Sequence, residues 1–213
     1  MASVPSGTTY SIATVFATAK PVSAISNAAE ASVSCTAHGF TVGDYLQIFS
    51  GWSRLNRRVI KVKSVTTDAF VAEKIDTSST SLYEPGAGAG SVRKITTFVP
   101  VSKILNQSSS GGEAKNITFK YLESDVEENA HDGFTAIAET FEIDADEFGL
   151  ASYNALVSLT DVQTDTVLKK TLKSGSLIFV PCRLAINENV KMAEGSIMTN
   201  MVSVNANGKI TRY

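Results

Sequence analysis

Cys35, His38 and Asp44 fall within one stretch, SCTAHGFTVGD, which sets one of two cysteines and one of two histidines beside an aspartate. A thiolate nucleophile, an imidazole base and an orienting carboxylate would make an acyl-transferring enzyme, provided the three converge at hydrogen-bond distance beside an oxyanion site. The spacing argues against this. Cys35 stands two residues after Val33, so strand alternation sends its thiol to the apolar side, where it is inert. His38-Gly39 then supplies a bend and Gly43-Asp44 opens the next strand, so the stretch reads as a turn with no catalytic residue. His131, beside Asp132, lacks a second ligand at metal spacing, and Cys35 and Cys182 are too far apart for a zinc site or a disulfide framework. GAGAGS, from Gly86 to Ser91, resembles a phosphate cradle but lacks the following helix and the lysine-hydroxyl pair. DADEF, from Asp144, lacks calcium-loop spacing and reads as helix capping. No enzyme, metal or cofactor is expected.

The elements that must position these residues are strands. Nearly every apolar segment alternates in twos between Gly, Asn, Asp and Ser. Tyr10, Ile12 and Phe16 mark the first strand, and five short segments follow: 31–36, 44–50, 57–65, 69–74 and 91–98. Together they predict a small barrel-like region, with a mobile Ser/Thr/Gly-rich loop over 76–91. In the second half, SSSGG over 108–112 marks a long turn, and KNITFKYL over 115–122 puts Ile117, Phe119 and Tyr121 on one face. A strand over 133–144 turns Phe141 and Ile143 inward and Thr140, Glu142 and Asp144 outward. The one convincing helix lies in LASYNALVSL, 150–159, and strands over 176–186 and 196–204 complete the fold. The expected class is mainly β, a β-sandwich or barrel with one flanking α-helix and a small inserted β-barrel-like region.

Charge narrows the partners. The 213 residues are 43% hydrophobic and 19% charged with a net charge of −2, a foldable globular composition. Between Glu113 and Glu147, eleven carboxylates face only Lys115 and Lys120, a surface that repels phosphate. Arg54, Arg57, Arg58, Lys61 and Lys63 form the basic cluster, but Lys61 and Lys63 alternate with Ile60 and Val62 as a solvated strand face. The lone Trp52 is a poor stacking platform for nucleic acid. No apolar run reaches the roughly 20 residues of a membrane helix, and MASVPSGTTYS lacks the plan of a signal peptide, so a cytosolic chain without membrane insertion is expected.

The passage TAHGFTVGDYLQIFSGWSRLNRRVIKVKSVTTDAFVAEKIDTSS, with GAGAGSVRKITTF, SSSGGEAKNITFKYLESD, GFTA and ASYNALVSLTD in that order, resembles the tail tube proteins of long-tailed, non-contractile bacteriophages. Members often carry Gly after the LN of the first block, where this chain has Arg57. The resemblance implies a structural virion protein. Its copies join into hexameric rings that stack as a hollow tube, which encloses the tape-measure protein and later conducts DNA without sequence-specific binding. Tail terminator and tail-tip proteins would be further partners, with assembly in the host cytoplasm. It also implies a core from 1–29 and 98–213 and an insert over 30–97. Candidate lumen-lining acids are Glu139, Glu142 and Asp144, with Glu123, Asp125, Glu127 and Glu128 as alternates at the lumen or between rings. Candidate assembly loops are Ser108, Ser109, Ser110, Gly111 and Gly112, and Gly86, Gly88 and Gly90. The competing reading is a monomeric β-sandwich module that binds carbohydrate or protein; it calls for an exposed aromatic platform, whereas aromatics are 8% of the chain and mostly alternate onto core faces.

Overall fold

The computed structural model describes residues 7–213; the first six, part of the expected core segment 1–29 and of the N-terminal reading, lie outside the described residues. The elements run β1 (Thr9–Phe16), β2 (Lys20–Val22), β3 (Ala24–Ile25), β4 (Ser32–Ser34), β5 (Tyr45–Ser50), β6 (Val59–Val65), β7 (Ala69–Ala72) and β8 (Gly90–Val101). There follow β9 (Ile104–Ser110), β10 (Ala114–Phe119), β11 (Glu128–Phe134), β12 (Ala138–Asp144), α1 (Ala151–Val162), β13 (Thr166–Thr171), β14 (Leu177–Ile186), β15 (Thr199–Ala206) and β16 (Thr211–Arg212). Strand accounts for 48% and helix for 7%. The fold is mainly β with one flanking helix. No helix among the described residues is long and apolar enough to cross a membrane.

One antiparallel sheet runs in the order β3-β4-β7-β6-β5-β8-β1-β13-β14-β15-β12-β9, with β16 on β14 and β2 on β8. The strand β8 serves two neighbourhoods: its residues 90–94 pair with β5 and its residues 95–101 with β1. One buried cluster fills the inserted region, from Val22, Ile25 and Val33 through Leu46, Ile60 and Phe70 to Val92. A second lies inside the other region, around Tyr10, Ile12, Phe141, Leu156, Leu168, Val180 and Val202. A third, of Ala13, Val59, Ile95, Val167 and Phe179, joins them. Val167 and Leu168 are both buried, as are Phe179 and Val180; β13 and β14 are covered on both faces, which is why LIFVPC is a continuous apolar run rather than an alternating one.

The sheet curls until its end returns towards its middle. Tyr10 of β1 donates its hydroxyl proton to Gln107 of β9 and lies 5.7 Å, ring to ring, from Phe141 of β12. Lys170 of β13 pairs with Glu139 of β12. These strands are not neighbours in the sheet, so the contacts close a sandwich across its interior. The helix α1 covers the second cluster with Ser152, Tyr153 and Leu156, ends on Gln163 at φ 51°, and is tied to β14 where Thr160 Oγ1 accepts from the Ile186 N–H at 2.8 Å.

Three expectations are corrected. The expected strand over 133–144 is two strands, β11 and β12, interrupted at 135–137. Ser108, Ser109 and Ser110 are not in a turn but pair with Thr140, Glu139 and Ala138, because small hydroxyl side chains fit an exposed strand edge. The 76–91 segment, expected to be mobile, is packed down. Tyr83 stacks edge-on against Trp52 at 5.1 Å, and the Trp52 indole N–H donates to the Glu84 carbonyl at 2.8 Å.

Candidate assembly and lining surfaces

The residues that looked most like chemistry do not meet. His38 is buried, with Nε2 2.9 Å from the Thr66 carbonyl and Nδ1 accepting from the Phe40 N–H at 2.9 Å. This pattern fixes a neutral tautomer with Nε2–H as the donor. Asp44 accepts from the Thr41 N–H at 2.9 Å and holds Lys94 at 2.8 Å. Cys35 is buried, and desolvation pushes its thiol up. No hydrogen bond joins the three; each finishes a turn or a core.

The carboxylates of β12 divide between two faces. Glu139 shares the buried face with Phe141 and Ile143 and pairs with Lys170, the two side chains being 7% and 10% exposed. This corrects its assignment to a lumen wall: one residue of register separates Glu139 from Thr140, and that step turns it inward. Glu142 and Asp144 take the other face with Thr140. Glu142 accepts from Lys191 Nζ at 2.8 Å and from Asn106 Nδ2 at 2.7 Å. These two hydrogen bonds, the lysine's first, hold its carboxyl below the usual carboxylate range. Asp144 has Lys103 Nζ at 3.7 Å and accepts from the Asp146 N–H at 3.0 Å. It thereby caps a single 3-10 turn, Ala145–Glu147, so DADEF is a capping sequence, although α1 itself starts at Leu150 without a side-chain cap. The outward carboxylates of β12 are therefore matched by Lys103 and Lys191, which sequence reasoning missed; nothing in their local sequence places them opposite β12.

The alternates lie elsewhere. β10 and β11 form a separate two-stranded sheet, continuing the β9/β12 ribbon beyond the core. Glu123, Asp125 and Glu127 are exposed in its connecting loop, and Glu128 at the start of β11. None of the four has an ion-pair partner among the described residues. Ile117 at 53%, Tyr121 at 54% and Leu122, fully exposed, seal no core within one chain, and the strand expected over 115–122 ends at Phe119. Gly111 and Gly112 form the joint of this arm, with φ of 83° and 80°. A Cβ on Gly111 would sit 1.9 Å from the Ala136 carbonyl oxygen, so glycine is required there.

The other glycines belong to the insert, where Gly88 is buried and Gly86 and Gly90 are exposed. A Cβ on Gly88 would meet the Trp52 ring at 3.0 Å and one on Gly90 the Phe49 carbonyl oxygen at 2.0 Å. Gly86 turns the chain at φ 83°. Arg57, where the resembling sequences often have glycine, adopts φ 63°. Its Nε lies 2.9 Å from Asp165 Oδ2 but is not aligned for a hydrogen bond; the contact is one of charge. Asp165 also accepts from Arg183 Nε at 2.8 Å, and Arg58 Nε donates to Thr211 Oγ1 at 3.0 Å, so insert and core are joined by polar contacts as well as by the third cluster.

A groove of about 700 Å³ opens where β9 comes back towards β1 and β13, bordered by Tyr10, Ile104, Gln107, Leu172, Lys173 and Arg212 among others. β9 pairs only with β12, so its other edge is free beside this groove.

The family described as "Phage tail tube protein, TTP" matches residues 50–213. No curated protein matches the chain. Among solved structures, the tail of an empty GTA particle, computed with helical refinement and C6 symmetry, is similar at 11% identity and a TM-score of 0.42, covering 55% of this chain and 86% of that one. A family match over this span, on a mainly β chain, identifies a structural component of a virion tail rather than an enzyme: the chain belongs to the phage tail tube proteins.

Proposed function

We propose that copies of this chain join into hexameric rings that stack into the hollow tube of a phage tail. The tube encloses the tape-measure protein during assembly in the host cytoplasm, ends on tail-tip and terminator proteins, and conducts DNA at ejection. Family membership supports the reading. The single structural observation that carries it is the β9 edge with its arm: a seven-residue strand, Ile104–Ser110, open on one side, continuing into a ribbon whose apolar residues are exposed. Such an edge is an aggregation liability in a monomer and a pairing surface in an assembly. Residues 1–29 and 98–213 would supply the tube wall. The decorating insert over 30–97 shares its core with Val22 and Ile25, so its working boundary falls nearer residue 20.

The polar face of β12 is the proposed wall of the bore. DNA presents about one negative charge per 1.7 Å, and free lysines there would bind phosphate. Glu142 occupies Lys191, and Asp144 and Glu147 share Lys103, leaving a wall with no free lysine to grip phosphate. Sizing chromatography and negative-stain microscopy of the concentrated protein test the assembly: rings or tubes are expected, and a monomer at every concentration would refute it. Glu142→Gln with Asp144→Asn should free Lys191 and leave Lys103 on Glu147 alone, giving tubes of normal appearance that deliver DNA more slowly; unchanged delivery would remove this face from the bore.

A further inference from the structure

We infer that the groove between β9 and the β13–β14 turn is the socket for the acidic tip of the β10–β11 arm of a second copy of this chain. The inference rests on the tube reading and adds which two surfaces meet. Two cations, Lys173 and Arg212, border the groove, both are exposed, and neither has an ion-pair partner among the described residues. Leu172, Ile178 and Ile104 give it a half-buried apolar floor. The tip has the complementary composition: Leu122 and Val126 exposed at 105% and 69%, flanked by Glu123, Asp125, Glu127 and Glu128. Opposite charge around an apolar centre gives both register and affinity. The free β9 edge along the groove also offers main-chain hydrogen bonds to an incoming strand.

The tip does not serve its own groove. β9 begins at the groove and runs on through Gly111 and Gly112 into the arm, so roughly 40 Å of ribbon at about 3.3 Å per residue separates Asn106 from Phe119. A donor surface at one place and a receptor at another make a head-to-tail contact, which propagates from copy to copy.

Charge reversal tests the pairing in the full-length protein. Lys173→Glu with Arg212→Glu makes the groove acidic; Glu123→Lys, Asp125→Lys and Glu127→Lys make the tip basic. All five positions are exposed, and circular dichroism establishes that each variant is folded. Each variant alone should raise the concentration at which half the protein sediments as polymer by at least about tenfold. An equimolar mixture should recover polymer, since each tip then finds an opposite groove on the other variant. Leu122→Cys with Leu172→Cys should give disulfide-linked ladders between copies, the native Cys35 and Cys182 being buried. Variants that polymerise like the parent, or a mixture that does not recover, overturn the socket while the tube reading stands; a parent protein that never polymerises overturns both.

Discussion

Replacing Lys170 by methionine should unfold this protein more readily than any surface change of similar size. Lys170 and Glu139 join β13 to β12 across the interior, with side chains 10% and 7% exposed. Around them stand the Tyr10 ring, 5.7 Å from Lys170 Nζ, and a Tyr10 hydroxyl pushed up to about 12 by burial and then by the Glu139 charge. Methionine keeps most of the volume but leaves Glu139 buried without its cation, which costs about 3–5 kcal/mol. For a chain of this size that corresponds to a fall in Tm of roughly 6–20 °C. Glu139→Leu alone should cost a similar amount by stranding the ammonium group. The double variant Lys170→Met/Glu139→Leu should recover most of the loss, because an apolar pair of similar volume replaces a desolvated ion pair at little net cost. Urea unfolding followed by near-ultraviolet circular dichroism, at a concentration where the protein is monomeric, measures all three. A single Lys170→Met cost below about 1 kcal/mol, or a double variant no better than the singles, would refute the claim that this pair acts as a buried unit.

Gly88→Val should disturb the insert alone, since its side chain would enter the Trp52 ring; a changed Trp52 fluorescence with the unfolding of the second core unmoved is expected. Arg57→Gly relieves a φ of 63° while losing the Asp165 contact and should leave stability within about 1 kcal/mol, whereas Arg57→Ala keeps the strain and loses the contact, and should be the worse of the two in denaturant titration. The Glu142 carboxyl is held below its ordinary value of 4.5. Its contribution is therefore present above that value and lost as pH falls through the lower folded one, and the acid limb of a stability profile should be shallower in Glu142→Gln. Native Cys182, its thiol pushed up to about 12 by burial, should resist alkylation at pH 8 until denaturant is added; rapid labelling of the folded protein would contradict the packing described for β14.

Much of the fold was legible from alternation: β1 and β12 were readable by their apolar period, and α1 by its stripe. What alternation does not carry is which surface lies on each side. The run LIFVPC marked β14 as an apolar strand, but that Val167 and Phe179 face the insert while Leu168 and Val180 face the other core depends on β8 bringing the two together. The Glu139–Lys170 pair left a local trace: each charge falls on the apolar side of its own strand, with Phe141 and Leu168 respectively, so each called for a buried partner. The groove left none, since Lys173 and Arg212 come together only through the pairing of β16 with β14. In the arm, alternation put Ile117 and Tyr121 on one face but did not show that this face is exposed.

The strand β8 belongs to all three buried clusters at once, contributing Val92, Ile95 and Val101 in turn. A continuous strand does not let its halves rotate freely, and the Asp165 contacts from Arg57 and Arg183 brace the same junction. Torque applied to the outside of the insert would thus reach the wall of the proposed conduit without slack. A fluorophore or gold particle attached to the insert would follow the azimuth of its own layer, making twist along a tail directly countable.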